Sequence, residues 1–258
     1  MLRSALIWFF LLASAQAGES LALSASANLF FALDQLNVAF HAQEPGVELK
    51  LTLDKSDKLV TQILRGSPCD VFLCADIDHP RDLVRAGLAD GDSLTVFAVG
   101  RLVIWTARAD LELSTLASVA RNPQVKQLAL TNAETGPYAR AARQALIRSG
   151  AWLDALPKVT VAESIMEVAR LVQAGEADAG FISLSLALSP KFREIGHWRE
   201  IALDPSTPLT QGAVLTKHGR KNRAAQRYLA FLRTPVAKKI LQDCGYAEPE
   251  LAGRIGEP

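Results

Sequence analysis

Short apolar runs alternate with segments of helical periodicity along almost the whole of this chain, and that alternation restricts it to few architectures. Leu29, Leu33, Leu36 and Phe40 fall on one face of a helix that follows Asn28. Val47, Leu49, Leu51 and Leu53 then alternate with Glu48, Lys50 and Thr52, the pattern of a strand with one polar face. A helix is expected from about Asp57, with Leu59, Ile63 and Leu64 apolar and Gly66 as its stop. Asp70 to Cys74 reads as a short buried strand, and Pro80 and Gly87 suit the first turn and the end of the next helix. Strand and helix in regular succession predict a doubly wound α/β sheet.

The pattern then repeats. Leu94–Val99 and Leu102–Trp105, separated by Gly100 and Arg101, read as chain leaving one sheet and entering another. Strands are expected over 127–130, 158–161, 177–182 and 212–216, and helices over 137–149, 163–174, 221–232 and 235–243. Pro205 and Pro208 mark an irregular crossing between them. Two α/β lobes joined by crossing strands enclose a cleft, the usual place for a small ligand.

With 258 residues, 49% of them hydrophobic, the chain can bury cores of that size. Its 28 basic and 27 acidic residues leave a net charge of +1, and no basic run favours nucleic acid. Met1 to Ala17 reads as a signal peptide, with Arg3 before an apolar segment from Ala5 to Ala13 and a small-x-small end at Ala15-Gln16-Ala17. That segment is shorter than the roughly 20 residues of a membrane span. The mature protein is therefore expected to start near Gly18 and to work outside the cytoplasm. Cys69, Cys74 and Cys244 allow at most one internal disulfide, without indicating the pair. Cys69 and Cys74 lack zinc-ligand spacing and a histidine in register, so all three cysteines read as structural.

In open α/β sheets ligands sit beyond the carboxyl ends of the strands. There this chain places Ser24 to Asn28, Asp54 to Asp57, Thr131 to Tyr138, Ala162 to Ile165, and Ser183. Asn28 is a suitable N-cap, and a helix start carries roughly +0.5 of an elementary charge, a seat for an anion. These turns are rich in hydroxyls and amides. They hold no histidine cluster, carboxylate pair or Gly-x-Ser-x-Gly elbow, and His41, His79, His197 and His218 fall in helices or distant loops. Neutral donors can hold a desolvated oxyanion, each hydrogen bond to it contributing roughly 1.5–3 kcal/mol.

At these turns the chain resembles the periplasmic molybdate-binding proteins of ABC transporters. Ser26-Ala27-Asn28-Leu29 matches the family's first turn. Ser56 ahead of Leu59-Val60-Thr61-Gln62-Ile63 matches its second. Gly66-Ser67-Pro68-Cys69-Asp70-Val71 with Ala75-Asp76 matches its most specific motif. Pro137-Tyr138, Gly150-Ala151-Trp152 and Glu163-Ser164-Ile165 match the second lobe. The resemblance spans nearly all of the mature chain. It implies the type II periplasmic-binding-protein fold, with residues 18–99 and 203–258 in one lobe and 100–202 in the other. It implies that Asn28 and Ser56 bind a tetrahedral oxyanion from the first lobe, and Tyr138 and Ile165 from the second, largely through backbone N–H groups. Ser26 and Ala27, close enough to contribute, are further candidates, and Ser183 is a candidate contact only, at a position where the family varies. Asp76 is expected to stabilise its own turn.

The resemblance further implies a monomeric periplasmic receptor for molybdate or tungstate that delivers to a membrane permease. A receptor of that kind is expected to have no catalytic residues and no cofactor, and to hold molybdenum as its oxyanion rather than by side-chain coordination. One departure stands out: Ser56 lies between Lys55 and Asp57, with Asp54 just before, where the family is usually uncharged. A carboxylate about 4 Å from the anion would repel it by about 4 kcal/mol at an effective dielectric near 20, so Asp54 and Asp57 must point away or the ligand differs. Plainer roles are a helix cap for Ser56 and surface stacking for Tyr138. The alternatives are a receptor for sulfate or phosphate, a ligand-free scaffold, or a secreted hydrolase using Ser56 or Ser183. Against the last stands the lack of a base near either serine.

Overall fold

Two five-stranded sheets organise residues 19–249, the part of the chain that the computed structural model describes. The leader expected over 1–17 lies outside the described residues. The first sheet contains β1 (Glu19–Ser26), β2 (Val47–Asp54), β3 (Val71–Cys74), β4 (Thr95–Gly100) and the late strand β10 (Leu209–Leu215), in the order β2-β1-β3-β10-β4. The second contains β5 (Leu102–Thr106), β6 (Leu128–Thr131), β7 (Val159–Ala162), β8 (Ala179–Ser183) and β9 (His197–Glu200), in the order β7-β6-β8-β5-β9. The sheets share one plan. β1 runs parallel to β2 and β3, and β6 to β7 and β8, while β10 and β5 lie antiparallel to both of their neighbours.

Helices α1 (Phe30–Gln43), α2 (Ser56–Leu64) and α3 (Asp78–Arg85) connect the first strands. The second sheet carries α4 (Leu116–Arg121), α5 (Pro137–Arg148), α6 (Trp152–Ala155), α7 (Ile165–Gln173) and α8 (Leu184–Ala187). The chain then returns, and α9 (Arg223–Phe231) and α10 (Pro235–Asp243) pack on the first sheet. Arg101 alone separates β4 from β5, and it is held by a two-pronged pair with Glu200 beside the return crossing over residues 201–208.

β3, β5 and β8 are buried on both faces, which is why they read as unbroken apolar runs. β2 is an edge strand, and its expected inward face is only partly realised: Val47 is buried but Leu51 is 38% exposed. In the first lobe, Phe40 packs edge-to-face on Tyr228 and Phe231 at 4.9 and 5.5 Å. In the second, Trp105 packs on Phe192 at 5.6 Å and donates to the Ile195 carbonyl at 3.0 Å. Asp70 has a structural role. Its buried carboxylate accepts from Ala22 N, the Asn222 amide and His218 Nδ1 at 2.8–2.9 Å, tying β1 and the turn before α9 to β3.

Several elements escaped the periodicity argument. All four residues of β9 are exposed, Trp198 included, so no buried face gives it a period, and His197 opens that strand rather than lying in a loop. α4 is signalled by a reciprocal cap between Thr115 and Ser118, and α6 and α8 are too short to show a period. The three cysteines are buried and none is bonded to another.

Candidate functional site

Parallel strands in register end at one level, so the helices that follow them start side by side. Ser26 stands opposite Asp54 across β1 and β2, and Ala25 opposite Leu73 across β1 and β3. β1 passes through a 3-10 turn, Ala27–Leu29, into α1, and β2 passes directly into α2. Across the cleft β6 leads to α5 and β7 to α7. These four helical starts surround one cavity of about 450 Å³.

Six of the seven expected site residues border this cavity: Ser26, Ala27 and Asn28 at the first start, Ser56 at the second, Tyr138 at the third and Ile165 at the fourth. Ser183 does not. It is 1% exposed, its hydroxyl accepts from Leu186 N at 3.3 Å as the cap of α8, and it meets Ser185 Oγ at 3.0 Å. The chain enters α8 directly after β8, which turns this hydroxyl into the protein.

Asn28 is not a helix cap. It lies inside the 3-10 turn, where its side chain points across the sheet and Nδ2 donates to Gln211 Oε1 at 2.8 Å. Ser56 does not cap either, because Lys55 precedes it as the cap residue of α2; its hydroxyl instead meets Ser26 Oγ at 2.8 Å. Ser26 Oγ also accepts from Ala75 N at 3.2 Å, which draws the end of β3 into the same wall. Tyr138 does not stack on the surface: it is 3% exposed. The 3-10 turn, α2 and α5 have no side-chain cap, whereas Ser164 caps α7 by accepting from Glu167 N at 3.1 Å. First-turn N–H groups have no partner within their own helix, and at three of these four starts no capping side chain takes them either.

Below the cavity a polar layer joins the lobes. Gln211, fully buried in β10, donates to the carbonyls of Leu209 and Ala75 at 2.8 and 3.2 Å while accepting from Asn28. Tyr246 Oη and Ser185 Oγ both reach the Asn28 carbonyl, at 2.9 and 3.4 Å. Among the described residues, Asn28 Oδ1 and Tyr138 Oη are buried without a hydrogen-bond partner. Burial pushes the Tyr138 phenol well above its ordinary range. A polar residue inside the apolar run Leu209 to Leu215 is the sequence signal that identifies Gln211, and Tyr246 and Ser185 carry none.

The lining holds one cation, Lys55, and two carboxylates, Asp57 and Glu163. Asp57 and Glu163 are exposed at the rim, and Lys55 Nζ lies 4.0 Å from Glu163 Oε2 across the cleft. Asp54 is turned away: it accepts from Lys55 N at 2.8 Å and pairs with Lys58 at 3.7 Å. The interior of the site is thus neutral, with charge confined to its solvated edge. Such a cavity can receive an anion on oriented dipoles, and the Ser56 hydroxyl in it is paired with another hydroxyl, Ser26 Oγ, rather than with a base. Asp76 stabilises its own turn, accepting from His79 N at 2.9 Å and meeting His79 Nδ1 at 2.7 Å.

Residues 21–247 match the model of a family described as bacterial extracellular solute-binding protein. The chain is 31% identical over 235 residues to the molybdate-binding protein ModA of Rhodobacter capsulatus, covering 90% of this chain and 89% of that one. It is 28% identical over 236 residues to the molybdate-binding protein ModA of Azotobacter vinelandii, covering 92% and 93%. The solved periplasmic molybdate-binding protein of Azotobacter vinelandii superposes with a TM-score of 0.78 at 27% identity, over 89% of this chain and 99% of that chain. A sulfate-binding protein of Mycobacterium tuberculosis, 17% identical with a TM-score of 0.67, has the same fold.

Proposed function

Because the chain belongs to the bacterial extracellular solute-binding protein family, we propose that it captures molybdate or tungstate in the cavity between its lobes and delivers the anion to a membrane ABC permease. It is a binding protein and not an enzyme, and its oxyanion is a cargo rather than a cofactor. The observation that carries the reading is the convergence of four helical starts, three without side-chain caps, on one neutral cavity. Each start favours negative charge by about 0.3–1 kcal/mol, more where water is excluded. Each hydrogen bond to the anion adds roughly 1.5–3 kcal/mol, so five or six offset much of the dehydration.

In this reading Asn28 and Ser56 hold the anion from one lobe, and the backbone N–H groups of Tyr138 and Ile165 from the other, with Ser26 and Ala27 adjoining. Ser183 has no part in it. The moving bodies are residues 18–99 with 203–258, and residues 100–202, hinged near 99–101 and 203–207. Closure expels the water that the open cavity holds and strengthens every dipole in it. Secretion by a cleaved leader, a periplasmic location and a monomeric state complete the proposal. Thermal unfolding tests it: molybdate at about 100 times its dissociation constant adds roughly 2.7 kcal/mol, on the order of 5–10 °C for a protein of this size. No shift with molybdate or tungstate would refute it.

A further inference from the structure

Away from the anion cavity, a second group of ligand-forming side chains converges where β3 turns into α3. Cys74 ends the strand, Asp76 follows in the turn, and His79 is the second residue of the helix. The Cys74 sulfur, an Asp76 carboxylate oxygen and an His79 ring nitrogen all lie within 4.8 Å of one another. Sequence spacing gave Cys74 no histidine partner, but the turn folds His79 back over the strand end. We propose that Cys74, Asp76 and His79 form a binding site for one borderline-soft divalent cation, with zinc as its reference ion.

The donor set makes the choice. Thiolate, imidazole and carboxylate together suit zinc, cobalt or a similar first-row ion, and exclude the oxygen-seeking magnesium and calcium. A thiolate and a carboxylate also neutralise a doubly charged ion, so the completed site places no net charge beside the buried Cys74. Tetrahedral zinc holds sulfur at about 2.3 Å and nitrogen or oxygen at about 2.0–2.2 Å, which sets its ligand atoms roughly 3.3–3.6 Å apart. The sulfur already lies within 4.8 Å of both other donors, and the 2.7 Å contact between Asp76 and His79 must open by less than about an ångström to reach that spacing. The ion takes the place of the proton shared by that pair. Asp76 Oδ1 is already oriented by His79 N at 2.9 Å. Asp76 also borders a second cavity of about 480 Å³, from which water can fill the fourth position.

The location gives the ion a consequence. Ala75 stands between two of the ligands, its N–H donating to Ser26 Oγ and its carbonyl accepting from Gln211, both at 3.2 Å. A bound cation would brace the wall that Ser26 and Ala75 contribute to the anion cavity, whichever anion that cavity takes.

Titration of the reduced protein with cobalt(II) tests this directly, because cobalt bound to a thiolate gives an intense charge-transfer band in the near ultraviolet. The expected result is a band that saturates at one equivalent, is displaced by one equivalent of zinc, and is lost in both Cys74→Ser and His79→Gln. Each substitution should weaken zinc binding at least as much as loss of a supporting outer partner, on the order of 10–100-fold. Displacement by zinc is read on the unaltered protein and does not depend on how the variants fold. No band in the unaltered protein would overturn the proposal, as would a band that survives in either variant.

Discussion

Replacing Gly100 by alanine puts a methyl group where the polar layer between the lobes is most crowded. The added Cβ would stand 2.2 Å from Tyr138 Oη, 3.0 Å from Tyr138 Cζ and 3.1 Å from Gln211 Nε2. Gly100 does not have a positive φ, so steric crowding is the whole effect. Tyr138 is fixed on α5 with its ring buried, and Gln211 is held by three hydrogen bonds, so neither can swing aside freely. Overpacking of this kind costs about 1–3 kcal/mol, and a contact this short on a buried ring places Gly100→Ala near the upper end. Tyr138→Phe removes the 2.2 Å contact but leaves those at 3.0 and 3.1 Å. On its own it also deletes a buried hydroxyl without a partner, which leaves stability unchanged or raises it by about 1 kcal/mol. The double variant should therefore recover about half of the loss, a coupling of about 1–2 kcal/mol, as for other residues in direct contact. Urea unfolding of the four proteins measures it. A Gly100→Ala variant within about 0.5 kcal/mol of the parent, or strictly additive effects, would refute the packing described here.

Ser56→Ala removes a hydroxyl at the second helical start, and it should weaken molybdate binding by about 10–100-fold in calorimetry, the equivalent of one hydrogen bond to a charged group. Glu163→Gln removes a rim carboxylate whose side chain is 92% exposed, so binding should tighten only a few-fold, and the gain should vanish at high salt. Burial alone would raise the Asp178 carboxyl, but the N–H groups of Gln127 and Lys126 and the Arg108 guanidinium hold it below its ordinary value. A carboxyl depressed in the folded state contributes stability that is complete above its unfolded pKa and lost as pH falls through the folded one. Acid unfolding of Asp178→Asn should accordingly show a smaller loss of stability below about pH 4 than the parent.

The strands and helices of both lobes are legible wherever burial imposes a period, as at Val71 to Cys74 or along Leu29 to Phe40. The crossing at Gly100 and Arg101 is legible because two apolar runs meet with almost nothing between them. Exposed β9 and the short α8 lack that signal. At the site, topology marks the turns that surround the cavity, because strand ends in register decide which turns share a level. It does not decide where a side chain points. Asn28 looks like a cap in sequence yet reaches Gln211, 183 residues away, and Ser183 looks like a lining residue yet faces Ser185. His79 joining Cys74 is likewise a property of one tight turn, not of spacing.

Side-by-side calorimetric titration with molybdate, tungstate, sulfate and phosphate measures the central claim most directly. The proposed function predicts one site per chain, with molybdate and tungstate bound at least about tenfold tighter than the other two, a difference of about 1.4 kcal/mol. Sulfate or phosphate binding tenfold tighter than molybdate, or no heat with any of the four, would contradict it.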